Sequence, residues 1–102
     1  TGGHKVSALE IEEVFRTHPL IEECAVMGIA DEEWGERVCA AVILGSDASP
    51  LPDDLRRWGK ERLAPYKVPS EFLMVTEFPR NTMGKVIKPV IKGWFQSHPA
   101  SG

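Results

Sequence analysis

Two apolar runs, residues 24–29 and 38–44, carry no charged side chain between Cys24 and Ile29 or between Val38 and Leu44. A half-exposed strand would alternate apolar and polar residues. A short run that is apolar at nearly every position reads instead as a strand buried on both faces. The first run stops at Asp31, and the second follows soon after, so the pair is expected to form an antiparallel hairpin. Strands of this kind need helices packed on them.

The flanking segments supply those helices. Ser7 followed by Glu10 has the spacing of a capping box, and Ile11, Val14, Phe15 and His18 recur at i, i+3, i+4 and i+7, which predicts a helix over 8–17 ended by His18-Pro19. Residues 45–52 are rich in turn formers. Pro52 suits the first position of a second helix, whose Leu55, Trp58 and Leu63 continue one face until Pro65 breaks it. A third strand is expected over 71–76, then a loop over 77–85. Last comes a helix opening near Pro89, with Val90, Ile91, Trp94 and Phe95 on its apolar side. The order helix, strand, strand, helix, strand, helix predicts an α+β fold: a small three-stranded, mainly antiparallel sheet packed with about three helices. Residues 1–6 are read as an extended arm.

A length of 102 residues suits a single domain. No apolar run approaches the roughly 18 residues of a membrane span, so a soluble domain is expected. Cys24 and Cys39 sit inside the apolar runs without Cys-x-x-Cys spacing, which favours buried, reduced thiols of an intracellular protein. His4, His18 and His98 form no ligand pair, and no metal site is expected. The net charge of −3 hides an asymmetry: residues 1–36 hold nine acids against Lys5 and Arg16, while residues 79–102 hold Arg80, Lys85, Lys88 and Lys92 with no acid. A cationic end on an acidic chain suits a small anion such as phosphate or carboxylate better than nucleic acid. For Lys88 and Lys92 a solvated helix face is the plainer reading. The chain opens at Thr1 and ends in polar residues 97–102, and the expectation is a piece of something longer.

One stretch looks built for chemistry. In Pro79-Arg80-Asn81-Thr82-Met83-Gly84-Lys85, three turn formers precede a lysine, and Gly84 permits a positive φ, so the loop can push an ammonium group away from the body. The stretch alone also fits a solvated surface lysine. The rest of the chain decides between the two.

Four signatures in order, at residues 2–12, 28–36, 63–69 and 79–85, make the chain resemble the C-terminal lid subdomain of the adenylate-forming enzymes. That family includes acyl-CoA synthetases, luciferases and the adenylation domains of peptide synthetases. The 63–69 run, Leu63-Ala64-Pro65-Tyr66-Lys67-Val68-Pro69, is similar to the acyl-CoA synthetase branch, and Lys5-Val6-Ser7-Ala8-Leu9-Glu10 to malonyl-CoA and fatty acyl-CoA synthetases. The resemblance implies one lid subdomain over 1–102, with a large N-terminal domain outside it.

It also implies a two-step reaction. A carboxylate attacks the α-phosphate of ATP to give an acyl adenylate and pyrophosphate, and the thiol of CoA then displaces AMP. Lys85 matches the family's adenylation lysine. For the second step the lid swings about a hinge expected before Thr1, so that the loop of Gly2, Gly3, His4 and Lys5 lines the pantetheine channel. Trp34 would lie along the pantetheine, and Tyr66 would stack on the CoA adenine with Lys67 near its phosphates. Mg2+ is expected with ATP, its ligands in the large domain. Val68, Ser70 and Pro89 stand where some members carry basic or polar residues. Two other readings remain: the lid of an adenylation domain serving a carrier protein, and a stand-alone anion-binding module.

Overall fold

The computed structural model describes residues 7–31, 35–45 and 50–97. Helix α1 spans Ala8–Arg16, strands β1 and β2 span Ile21–Asp31 and Gly35–Leu44, and helix α2 spans Pro52–Lys60. A 3-10 turn at Pro65–Lys67, strand β3 at Glu71–Val75 and helix α3 at Lys88–Ser97 complete the order. The sheet order is β1-β2-β3.

The hairpin is the centre of the molecule. Asp31 lies opposite Gly35 and Ile21 opposite Leu44, with one irregularity between Ile21 and Glu23. Both strands run beyond the apolar stretches, because backbone pairing continues past the point where side chains turn polar. Alternate residues face opposite sides. Cys24, Val26, Ala40 and Val42 pack with Ile11 and Phe15 of α1 and Leu55 of α2, whereas Ala25, Met27, Cys39 and Ala41 pack with Phe78 and with Ile91 and Phe95 of α3. The strands are therefore covered on both faces, as the apolar runs predict.

The sheet is mainly antiparallel, as expected from the sequence, and β3 adds a parallel pair. β3 runs beside β2 from Cys39 opposite Glu71 to Ile43 opposite Val75. The cause is the connection: α2 carries the chain back along one face of the sheet, so the next strand starts at the same end as β2. Arg37 and Glu71 join the two strands by an ion pair.

Local chemistry sets the helix ends. Ser7 Oγ accepts the Glu10 N–H at 3.3 Å, which is half of the expected capping box; the Glu10 carboxylate turns to Lys67. Helix α2 begins at Pro52 and ends at Lys60, short of the predicted Leu63. Ala64, ahead of Pro65, is extended at ψ 147°, while the Leu63 N–H still reaches the Gly59 carbonyl at 2.8 Å and the side chain stays in the core. Val90, expected on the apolar side of α3, is exposed.

Phe15 joins the layers. It has 0% exposure, and its ring centroid lies 5.3 Å from that of Trp58 and 5.4 Å from that of Phe72. A Cβ added at Gly59 would stand 2.8 Å from Phe15 Cζ, so α2 can seat here only without a side chain. Phe15→Ala is expected to lower the unfolding free energy by about 3–5 kcal/mol, measured by urea denaturation, because both cavity and transfer contributions are lost in a layer that cannot collapse.

Candidate functional site

The connection between β3 and α3 folds back on itself. Arg80 and Val86 form an antiparallel bridge, and the Ile87 N–H donates to the Pro79 carbonyl at 2.9 Å. Within this loop Asn81 grips Lys85 twice: its N–H donates to the Lys85 carbonyl at 3.0 Å, and its Oδ1 accepts the Lys85 N–H at 3.0 Å. Asn81 Oδ1 also accepts the Met83 N–H at 2.9 Å. Gly84 takes φ +83°, which an L side chain rarely adopts, and its carbonyl accepts from the Arg80 guanidinium at 3.0 Å. The backbone of Lys85 is thus fixed from both sides while its side chain is exposed, and the ammonium has no ion-pair partner among the described residues.

Lys85 overlooks a cleft of about 450 Å³ that also borders Cys24 and Ala25 of β1, an edge strand of the sheet. Its walls carry Arg16, Arg80, Lys85 and Lys88 against Glu12 and Glu23. Glu12 is 6% exposed; its Oε2 accepts the Val26 N–H at 2.8 Å and lies 2.7 Å from Lys88 Nζ, and its Oε1 lies 4.0 Å from Arg16. Glu23 holds Arg16 at 3.2 Å and accepts the Cys24 N–H at 3.2 Å. Arg16 and Lys88 are therefore answered by carboxylates. Lys85 and Arg80 are left to give the cleft a positive balance, which suits an anion.

Cys24 also lines this cleft, but its thiol is pushed up to about 12, first by burial and then by the Glu12 charge. It stays protonated and is no nucleophile near neutrality. Cys39 is pushed up to about 11, mainly by burial. Among the described residues no group of three or more His, Cys, Asp or Glu is placed to hold a metal.

The second predicted constellation lies elsewhere. Tyr66 is half exposed and belongs to the 3-10 turn, outside the lining of the Lys85 cleft. Lys67 Nζ sits 3.0 and 3.1 Å from the two oxygens of Glu10, and this hydrogen bond raises its pKa above the ordinary lysine value. Gly2, Gly3, His4, Lys5 and Trp34 lie outside the described residues. The role of Glu12 leaves little trace in the sequence, its partners Val26 and Lys88 being distant. Its one signal is position: Ala8, Ile11, Glu12 and Phe15 share a stripe at i, i+3, i+4 and i+7, and an acid in an apolar stripe needs a partner. Asn81 carried a clearer signal, as an amide two residues before the Met83 N–H that it captures.

The sequence profile of the AMP-binding enzyme C-terminal domain matches residues 10–85, a stretch that runs from α1 through Lys85. The chain belongs to this family. The mitochondrial malonate–CoA ligase of Mus musculus is 54% identical over 88 residues, which cover 86% of this chain and 15% of the ligase. Among solved structures, ATP-bound MatB from Rhodopseudomonas palustris superposes with a TM-score of 0.86 at 33% identity, covering 94% of this chain and 19% of that one. The amide bond synthetase McbA of Marinactinospora thermotolerans superposes with a TM-score of 0.84 at 34% identity, covering 88% of this chain and 18% of that one. The chain spans 15–17% of the length of its malonate–CoA ligase relatives from mouse, cattle and human.

Two outcomes are expected of this C-terminal domain. Asn81→Ala should speed amide hydrogen exchange at Met83 and Lys85 while the β1–β2 ladder stays protected. Stability should also fall as pH rises from about 9 to about 12, because the unfolded Cys24 thiol ionises near 9.0 while the folded one holds its proton to about 12. Urea midpoints at pH 8 and pH 10.5 measure that loss, and Cys24→Ala should shrink it.

Proposed function

We propose that this chain is the mobile C-terminal lid of an acyl-CoA synthetase and that Lys85 is the cation serving its adenylation step. The observation that carries the reading is an exposed ammonium without an ion-pair partner among the described residues, on a backbone clamped by Asn81, above a cleft of positive balance. In adenylation a carboxylate oxygen bonds to the α-phosphorus of ATP while the bond to pyrophosphate breaks. Two anions must approach, and their repulsion is of order 4 kcal/mol for unit charges about 4 Å apart at an effective dielectric near 20. A preorganised ammonium offsets it without reorganising at the moment of reaction. Arginine would be bulky and planar where a compact charge is wanted.

In the second step the CoA sulfur attacks the acyl carbon and AMP leaves. For this step the proposal assigns Gly2, Gly3, His4, Lys5 and Trp34 to the pantetheine channel, Tyr66 to the adenine and Lys67 to its phosphates. The Tyr66 ring is half exposed with Lys67 Nζ 5.8 Å from its centroid, and Lys67 would have to be shared with Glu10. The large domain, outside this chain, would hold the acyl pocket, most of the ATP contacts and the Mg2+ ligands. Free CoA is favoured as acceptor over a carrier protein or an amine by the 54% identity to a malonate–CoA ligase, against 34% to an amide bond synthetase. The same relative makes malonate the first acid to assay and supports an intracellular address, in keeping with two free thiols.

In the full-length enzyme, Lys85→Ala is expected to slow malonate-dependent ATP–pyrophosphate exchange by about 10²–10³-fold, a loss of roughly 2.7–4 kcal/mol. The same variant should still convert presynthesised acyl adenylate and CoA to thioester at close to the wild-type rate. Exchange at the wild-type rate would remove Lys85 from the step.

A further inference from the structure

We infer that Glu12 is a positioning residue for the adenylation step, acting through Lys88 to fix the direction in which Lys85 is presented; this rests on the role proposed for Lys85. The geometry is specific. Glu12 projects from α1, on one face of the sheet, and its carboxylate reaches the free side of β1 to accept the Val26 N–H at 2.8 Å. The same oxygen meets Lys88 at 2.7 Å, and Lys88 is the first residue of α3, on the opposite face. One buried carboxylate therefore ties together both layers and the edge of the sheet between them.

Lys88 also lies three residues beyond Lys85, just outside the closed loop. The Arg80–Val86 bridge and the Ile87–Pro79 hydrogen bond bind that loop to its own base. These contacts hold the loop's shape, and Asn81 holds the Lys85 backbone within it. Phe78 and Val86 seat the root of the loop on the α3 face of the sheet, but none of these contacts reaches α1 on the other face. The Glu12–Lys88 contact does, and Glu12, Lys85 and Lys88 line one cleft.

Burial gives the tie its stiffness. Water competes poorly for a carboxylate that is 6% exposed, and three partners, Val26 N–H, Lys88 and Arg16, together compensate its charge. If Lys88 is released, the loop can pivot about its root. A shift of about 1 Å at a reacting group can cost about 10²-fold in rate.

The test uses the full-length enzyme and both half-reactions. Glu12→Gln keeps the size of the side chain and an oxygen able to accept the Val26 N–H, and removes the charge that holds Lys88. It is expected to slow ATP–pyrophosphate exchange by about ten- to a hundredfold in kcat, with the KM for ATP changed less than about twofold. Thioester formation from presynthesised acyl adenylate should be unchanged. Lys88→Met, which keeps the aliphatic stem, should give the same split, and the double variant should lose no more than either single one, since both break one contact.

Wild-type exchange in both single variants would overturn the inference. So would an equal loss in both half-reactions, which marks a merely structural tie, or losses that multiply in the double variant. Lys85→Ala assayed alongside separates the two readings. If it loses exchange while Glu12→Gln keeps it, only the positioning role fails; if Lys85→Ala keeps exchange, the reading of Lys85 itself fails.

Discussion

The hairpin of β1 and β2 is the constraint on which everything else rests. Its strands are apolar on both sides, so neither face can be left to water. Burying Val26 and Val42 on one side and Met27 and Ala41 on the other forces a layer of α1 and α2 above and a layer of α3 with Phe78 below. At roughly 25 cal/mol for each Å² of apolar surface removed from water, burying several such side chains outweighs any single polar contact in the molecule. The loop that carries Lys85 is the link between β3 and the lower layer, so its location follows from the need to cover the second face.

Much of this was legible in the residues themselves. The continuous apolar runs announced strands covered twice, and the i, i+3, i+4 recurrence from Ile11 announced α1. What escaped was any feature set by geometry across the chain. The parallel placement of β3 depends on the path that α2 takes over the sheet, which no pattern within residues 71–76 encodes. The end of α2 moved from Leu63 to Lys60 because the extended residue before Pro65 overrode a helical apolar face. Val90 read as core because it neighbours Ile91 in an apolar sequence, yet the turn of α3 carries it to water.

The site divided along the same line. Lys85 and its turn were visible because Asn81 and Gly84 act on neighbours within four residues, and local chemistry leaves local signatures. Glu12 leaves no such local signature, since its partners Val26 and Lys88 lie far away in sequence. Lys67 offers the converse lesson. Its motif suggested a cation awaiting a phosphate, whereas its ammonium already rests between both oxygens of Glu10. An incoming phosphate there would gain only the difference between two anions, and salt would weaken both contacts.

The contact between Gly59 and Phe15 has a mechanical consequence. A helix that touches an aromatic ring through bare backbone has no side chain between them to flex, and interiors packed at crystal-like density hardly compress. The layers on that side cannot slide past one another in small steps. At that contact α1 and α2 are coupled as one stiff block, so a displacement of either carries the other with it.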